Sequence, residues 1–257
     1  MAVLLAVLVG ILLAPRRWQG AGGMHLLGEE LIDGGGSARR FAHAMHSEAT
    51  AIWADRRSWH LAARQSDAQS MQVESIRIDH GPFNASGVLL TRGVATIANV
   101  SARALYQLLS SAEGFAIIDP TSEPEAFSKF NERFWWRHGR LEVAEAHAPA
   151  AREFCVLNAF DDTTRTFVSK SVRHASCPGS SPYADGGPPP GGRVRALNTF
   201  ALRTTPVAAE GAGGPSATLE LLNYADLVGA PTIMNWINVQ LFLPGLVERL
   251  RERLARA

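Results

Sequence analysis

The sequence predicts an α+β fold in which a series of antiparallel strands is closed by one long C-terminal helix. Three observations carry this expectation. From Met71 onward the apolar residues alternate with the period of strands, after a helical start to the domain. Residues 152–160 and 164–174 form two extended segments separated by Asp161-Asp162, a turn composition suited to a hairpin. Beyond Gly229-Ala230-Pro231 the pattern becomes helical and stays so to the C-terminus, with Pro231 fitted to a first helical turn.

The chain has 257 residues and carries 46% hydrophobic and 19% charged residues. That is a globular composition, long enough for one domain with an appendage and for a core that encloses a ligand. A formal charge of +1 gives no reason to expect nucleic acid or a strongly acidic partner. Only two cysteines occur, Cys155 and Cys177, too few for a disulfide framework or a cysteine-based zinc site, although one bridge between them stays open.

The N-terminus divides from the rest by composition. Ala2 to Ala14 is an uncharged apolar run, shorter than the roughly 20 residues that span a bilayer as a helix. Arg16 and Arg17 follow this run, an order that favours a cytosolic C-terminal side over secretion. The segment reads as a weak signal anchor or as part of a truncated gene model, with a cytosolic domain in either case. Gly20 to Gly36 is glycine-rich and reads as a linker, so residues 1–36 are the appendage and 37–257 the domain.

Within the domain, Ser37 offers an N-cap for a helix running to about Gln69. Its Phe41, Met45, Ile52, Trp53 and Trp59 form an apolar side that packs on the outside of the domain. Val73, Ile76 and Ile78 mark a first strand, and Val88 to Ala98 a second, interrupted by Gly93. Ser101 caps a short helix, Ala102 to Leu109. Pro120 to Asn131 is polar and irregular, and Phe134 to Ala146 is a strand. In 152–160, Arg152, Phe154, Val156, Asn158 and Phe160 share one face and Glu153, Cys155, Leu157 and Ala159 the other. Both faces mix apolar with polar groups, so the alternation does not say which points inward.

Residues 175–192 hold five prolines and five glycines and form a long loop. Val194 to Thr204 and Thr218 to Asp226 are the last strands. In the closing helix, Ile233, Met234, Trp236, Ile237, Val239, Leu241, Phe242 and Leu243 leave only Asn235, Asn238 and Gln240 as polar breaks, a pattern expected of a helix buried on most sides. Pro244 should kink it. Beyond Pro244, Leu246, Val247, Leu250 and Leu254 form one stripe opposite a charged face.

Several short patches appear in a characteristic order: Arg92-Gly93-Val94, Arg152-Glu153-Phe154, Val168-Ser169-Lys170-Ser171-Val172, Gly192-Arg193-Val194-Arg195-Ala196, and the last strand with Gly229-Ala230-Pro231 and the tail helix. In this series, over residues 37 to 255, the chain resembles the START family of lipid-transfer domains. It departs from the family where a Trp-Asp pair usually stands and this chain has Ile118-Asp119-Pro120. The resemblance implies a helix-grip fold, a curved antiparallel sheet wrapped round the C-terminal helix with an internal apolar cavity. It implies a single lipid ligand, sterol or phospholipid, exchanged at a membrane surface by a cytoplasmic monomer without a cofactor.

Asn158 corresponds to a strand position where some sterol-binding relatives carry a cavity arginine, which gives it the role of bonding a lipid hydroxyl or headgroup; a satisfied or solvent-facing amide is the alternative. Arg195 and Glu145 are further polar candidates, with surface charge as their alternative. Phe154, Ser171, Trp236, Ile237, Gln240 and Leu243 are candidate lining residues or ordinary core. The 175–192 loop matches the position of a loop at the tunnel mouth, as a gate or as an insertion.

Competing chemistry is weakly encoded. His43 and His46 share a helix face and His60 follows, but no further ligand completes a metal set. No nucleophile elbow, phosphate loop or His-Glu-x-x-His motif occurs. A cavity enzyme of the wider superfamily, a cyclase or hydrolase using His174 or Glu145 as acid or base, is the second reading, and a membrane-tethered scaffold the third.

Overall fold

The computed structural model describes residues 30–31, 35–55, 59–64, 71–77, 87–118, 120, 125–131, 134–141, 151–173, 193–195, 197–207, 214–226 and 231–256. The elements in chain order are β1 (Glu30–Leu31), α1 (Gly35–Ala54), β2 (His60–Arg64), β3 (Met71–Arg77), β4 (Leu89–Ile97), α2 (Ala102–Leu109) and α3 (Ala112–Ile118). They continue with β5 (Glu125–Asn131), β6 (Phe134–Leu141), β7 (Ala151–Asp161), β8 (Thr166–Arg173), β9 (Arg193–Arg195), β10 (Leu197–Pro206) and β11 (Ala217–Asp226). The chain closes with α4 (Pro231–Ile237), a π-helical turn (Asn238–Phe242) and α5 (Leu243–Ala255).

The strands form one sheet in the order β2-β3-β4-β11-β10-β8-β7-β6-β5, with every neighbouring pair antiparallel. The short β1 and β9 add parallel pairings to β8 and β7. The C-terminal helix packs against β2, β4 and β11 on the inner face. This is the helix-grip arrangement, a curved antiparallel sheet closed by its last helix. No helix among the described residues is long and apolar enough to cross a membrane.

Both faces of the central strands are covered, which explains the mixed alternation. On the outer face Leu157, Ala159, Val168, Ala201 and Leu222 meet Phe41, Met45, Ala49, Ile52 and Trp53 of α1 in one buried cluster. On the inner face Phe167, Phe200, Leu202, Leu219 and Leu221 meet α2, α3, the π turn and α5 in a second. Each large side chain so buried contributes about 1.5–3 kcal/mol. Ser101 caps α2 as expected, accepting from the Ala104 N–H at 3.2 Å. Tyr106 ties the same helix to the β7–β8 turn by donating to Asp162 at 3.0 Å.

The outer face also holds charge. Arg92, 1% exposed, donates to Glu220 at 2.8 Å, and Arg203 bonds the other Glu220 oxygen through Nε at 2.9 Å. Three cations lie against aromatic rings that cover this face: Lys170 over Phe41 at 4.8 Å, Arg203 over Trp53 at 4.7 Å and Arg92 over Trp59 at 5.9 Å. The rings add an attractive contact for each of these cations.

Several expectations are corrected. The first helix ends at Ala54, well short of Gln69, and His60–Arg64 is a strand paired with β3. Trp59 therefore lies beyond the helix, although it packs on the same cluster. Glu125–Asn131, within the segment read as irregular, is the strand β5. The glycine-rich linker contributes Glu30–Leu31, paired with Val172 and Arg173, and the first turn of α1. The closing helix is not buried on most sides: Ile233, Trp236 and Leu241 are 46%, 41% and 52% exposed. The apolar run Ala2 to Ala14, Cys177 and the 175–192 loop lie outside the described residues.

The break expected at Pro244 takes the form of a wider turn. The Leu243 N–H bonds to the Asn238 carbonyl, five residues back. Pro244 has no N–H to donate, and in a regular helix its ring would press on the Gln240 carbonyl. Expanding the turn just ahead of it relieves both problems.

The ion network generates a prediction. Replacing Glu220 with leucine strands Arg92 without its closest partner under α1, and should lower unfolding stability by about 3–5 kcal/mol. Urea denaturation of the two proteins measures it.

Candidate functional site

The antiparallel registers assemble a row of side chains across the inner face. Asn158 of β7 stands opposite Ser169 of β8, Ser169 opposite Phe200 of β10, Phe200 opposite Asn223 of β11, and Asn223 opposite Thr91 of β4. The next row toward the β7–β8 turn is apolar: Phe160, Phe167, Leu202 and Leu221, ending at Gly93. Met71 packs over Gly93 in the space a side chain there would fill, and Leu243 lies beside it. Phe160 stacks on Phe167 at 4.9 Å, Phe115 meets Phe167 edge-on at 5.4 Å, and Phe242 meets Phe200 edge-on at 6.2 Å. The inner face thus has an aromatic floor bordered by a line of amides and hydroxyls.

Two of these amides are incompletely used. Asn158 is 0% exposed, and neither its Nδ2 nor its Oδ1 has a hydrogen-bond partner. Leaving one buried polar group unpaired costs about 1–3 kcal/mol. A buried amide with both ends open is costly unless something else fills the space beside it. Asn238, in the π turn, accepts from Asn223 Nδ2 at 3.0 Å, but its own Nδ2 is unpaired and buried. Asn235, one turn earlier, is fully committed to the fold: its Oδ1 accepts from the Leu89 N–H at 2.7 Å and its Nδ2 donates to the Gly87 carbonyl at 3.0 Å. Asn235 fastens the helix to the start of β4, while Asn158 and Asn238 keep unused capacity on the inner face.

Arg92, Lys170, Arg203 and Glu220, charged residues in the middle of the central strands, stand on the opposite face, while Arg173, at the end of β8, falls in the alternation of Ser169. The groups whose proton affinity is displaced also lie away from the amide row. Burial lowers the His46 imidazole of α1 below its ordinary range. Burial, then the neighbouring Asp162 charge, raises Tyr106. His43 and His46 lie on α1 and His60 on β2; among the described residues no group of three or more His, Cys, Asp or Glu is placed to hold a metal ion.

Of the residues named from the sequence, Asn158 and Leu243 are buried on the inner side. Ser171 is buried, its Oγ accepting from the Asn198 N–H at 2.7 Å, so its oxygen already has a structural use. Ile237 is partly buried against the α1-side cluster, joining core instead of the amide row. Trp236 and Gln240 are exposed and do not line the inner face: the helix turns Asn235, Asn238 and Val239 inward and these two outward. Phe154 occupies a β7 position in the same alternation as Asn158. Arg195 is paired opposite Glu153, in the alternation of Leu157 and Ala159. Glu145 and His174 lie outside the described residues.

Asn223 and Asn238 were not singled out from sequence. The signal was present in the closing helix, where Asn235 and Asn238, three residues apart, share one side of an apolar stretch.

The fold recurs in solved structures. Human StAR-related lipid transfer protein 5 superposes with a TM-score of 0.63 at 14% identity, covering 86% of this chain and 98% of that one. Human STARD10 gives 0.61 at 13% identity, covering 83% and 79%. The lipid transfer and protein localization domain of human StarD13 gives 0.53 at 16%, covering 82% and 95%. No family model matches the chain, and no curated protein does. At such identities the likeness is one of fold, and the fold is that of START domains.

The unpaired amide makes a prediction that needs no ligand. Leucine has nearly the shape of asparagine, so Asn158→Leu should stabilise the lipid-free protein by about 1 kcal/mol, read as a rise in the midpoint of thermal unfolding. A loss of stability would show that the amide has partners in solution.

Proposed function

We propose that the protein binds one lipid between the inner face of its sheet and its C-terminal helix, with Asn158 bonding the lipid's polar group, and that it carries or senses that lipid between membranes. The observation that carries this reading is the Asn158 amide, fully enclosed with donor and acceptor both unused, next to an aromatic floor. A ligand site needs this combination, an apolar surface for affinity and a few fixed polar groups for orientation. Two structures with the same fold bear lipid-transfer names, which supports the same use here.

On this reading the protein acts without cofactor or catalysis, as a cytoplasmic monomer that meets membrane surfaces to load and release its cargo. The polar row offers amides and hydroxyls, groups suited to holding a ligand in place. An acid or base poised for catalysis would have to come from elsewhere on the inner face.

Native mass spectrometry of the protein purified from cells, followed by extraction of whatever co-purifies, tests the reading. A stoichiometric lipid is expected, and Asn158→Leu should weaken its binding by about 1–3 kcal/mol, or roughly tenfold to a hundredfold. An empty protein that also takes up neither fluorescent sterol nor fluorescent phospholipid would overturn it.

A further inference from the structure

The two unused amides stand apart. From Asn158 to Asn223 the register crosses three strand spacings, β7 to β8 to β10 to β11, about 14 Å along the sheet at ~4.8 Å per step. Asn238 projects from the helix onto Asn223 at the far end of that span. Between the two ends lie Ser169 and the ring of Phe200. One small polar group cannot reach both amides, and each is too deeply buried for bulk solvent to serve it, at 0% and 2% exposure.

Resting on the lipid-binding reading, we infer that the ligand is an elongated apolar molecule with an oxygen function near each end, one bonded to Asn158 and the other accepting from the free Asn238 Nδ2. The amides differ in what they offer. Asn158 can donate and accept, which suits a hydroxyl. Asn238 has its oxygen engaged by Asn223 and offers only N–H, which suits any oxygen acceptor, a hydroxyl or a carbonyl. The π turn contributes to this geometry. Asn235, Val239, Leu243 and Val247 are all buried at intervals of four, and in a regular helix each such step rotates a residue about 40° round the axis. The wide turn takes up part of that drift and keeps Asn238 facing the sheet alongside Val239.

The test uses two probes that differ at one end: an α,ω-alkanediol spanning the amide separation, and the 1-alkanol of the same chain length, each displacing a bound fluorescent lipid. The diol should bind about fivefold to tenfold more tightly to the native protein, the worth of one additional neutral hydrogen bond. Asn238→Leu should abolish that advantage, so that diol and 1-alkanol bind alike, whereas Asn158→Leu should weaken both probes. A diol that binds no better than the alcohol in the native protein, or an advantage that survives Asn238→Leu, overturns the two-ended ligand. Because the native comparison requires no substitution, a misfolded variant does not protect the inference. If the 1-alkanol binds and responds to Asn158→Leu, the lipid-binding reading stands even where the diol fails; if the protein takes up no fluorescent lipid in the first place, both readings fall.

Discussion

The structure depends on covering both faces of one sheet with different materials. A sheet with one wet face can leave its charged side chains in water; here α1 and Trp59 close that route, with Arg92, Lys170 and Glu220 buried and Arg203 half-buried. Their burial is tolerable because Glu220 takes two guanidinium groups at once and because Phe41, Trp53 and Trp59 each present a ring to a cation. The consequence reaches the other side of the sheet. With these four charges on the outer face, the described middle of the inner face is built from aromatic rings, aliphatic side chains, hydroxyls and neutral amides.

That division accounts for what could be read in advance. Strands inside the sheet, such as β4, β8, β10 and β11, are rich in apolar and β-branched residues because both of their faces meet packed layers, and their positions agree with the expectation to within a few residues. The missed strands, β2 and β5, are the two ends of the sheet order. An end strand has one partner and less need for an apolar pattern, so His60–Arg64 passed for helix and Glu125–Asn131 for irregular chain. Hairpin pairing with β3 and β6, the strands that follow them in the chain, decides their conformation. The same two-sided covering explains why the alternation in 152–160 could not orient β7.

The site was legible to a lesser degree. Asn158 was reached through the family resemblance, and its complete burial with an unpaired amide is information only three dimensions supply. The closing helix misled more: its apolar residues were read as wholly enclosed, yet Trp236 and Leu241 face outward, while the polar breaks Asn235 and Asn238 face the sheet. In a helix lying over a polar row, the asparagines are the residues that must turn inward, because the backbone of β4 and the amide of Asn223 need them. Counting apolar residues missed this because it assumed that the buried surface opposite was apolar.

The central claim is that Asn158 bonds the ligand directly. Side-chain amide NMR of the protein labelled at asparagine nitrogen tests it most closely, with the Asn158 signal assigned by its disappearance in Asn158→Leu. On addition of the lipid that co-purifies, the account predicts a large shift of that amide pair and slowed hydrogen exchange, while Asn235, already bonded to β4, barely moves. A lipid that binds while the Asn158 amide stays unchanged would contradict the account and place the ligand elsewhere.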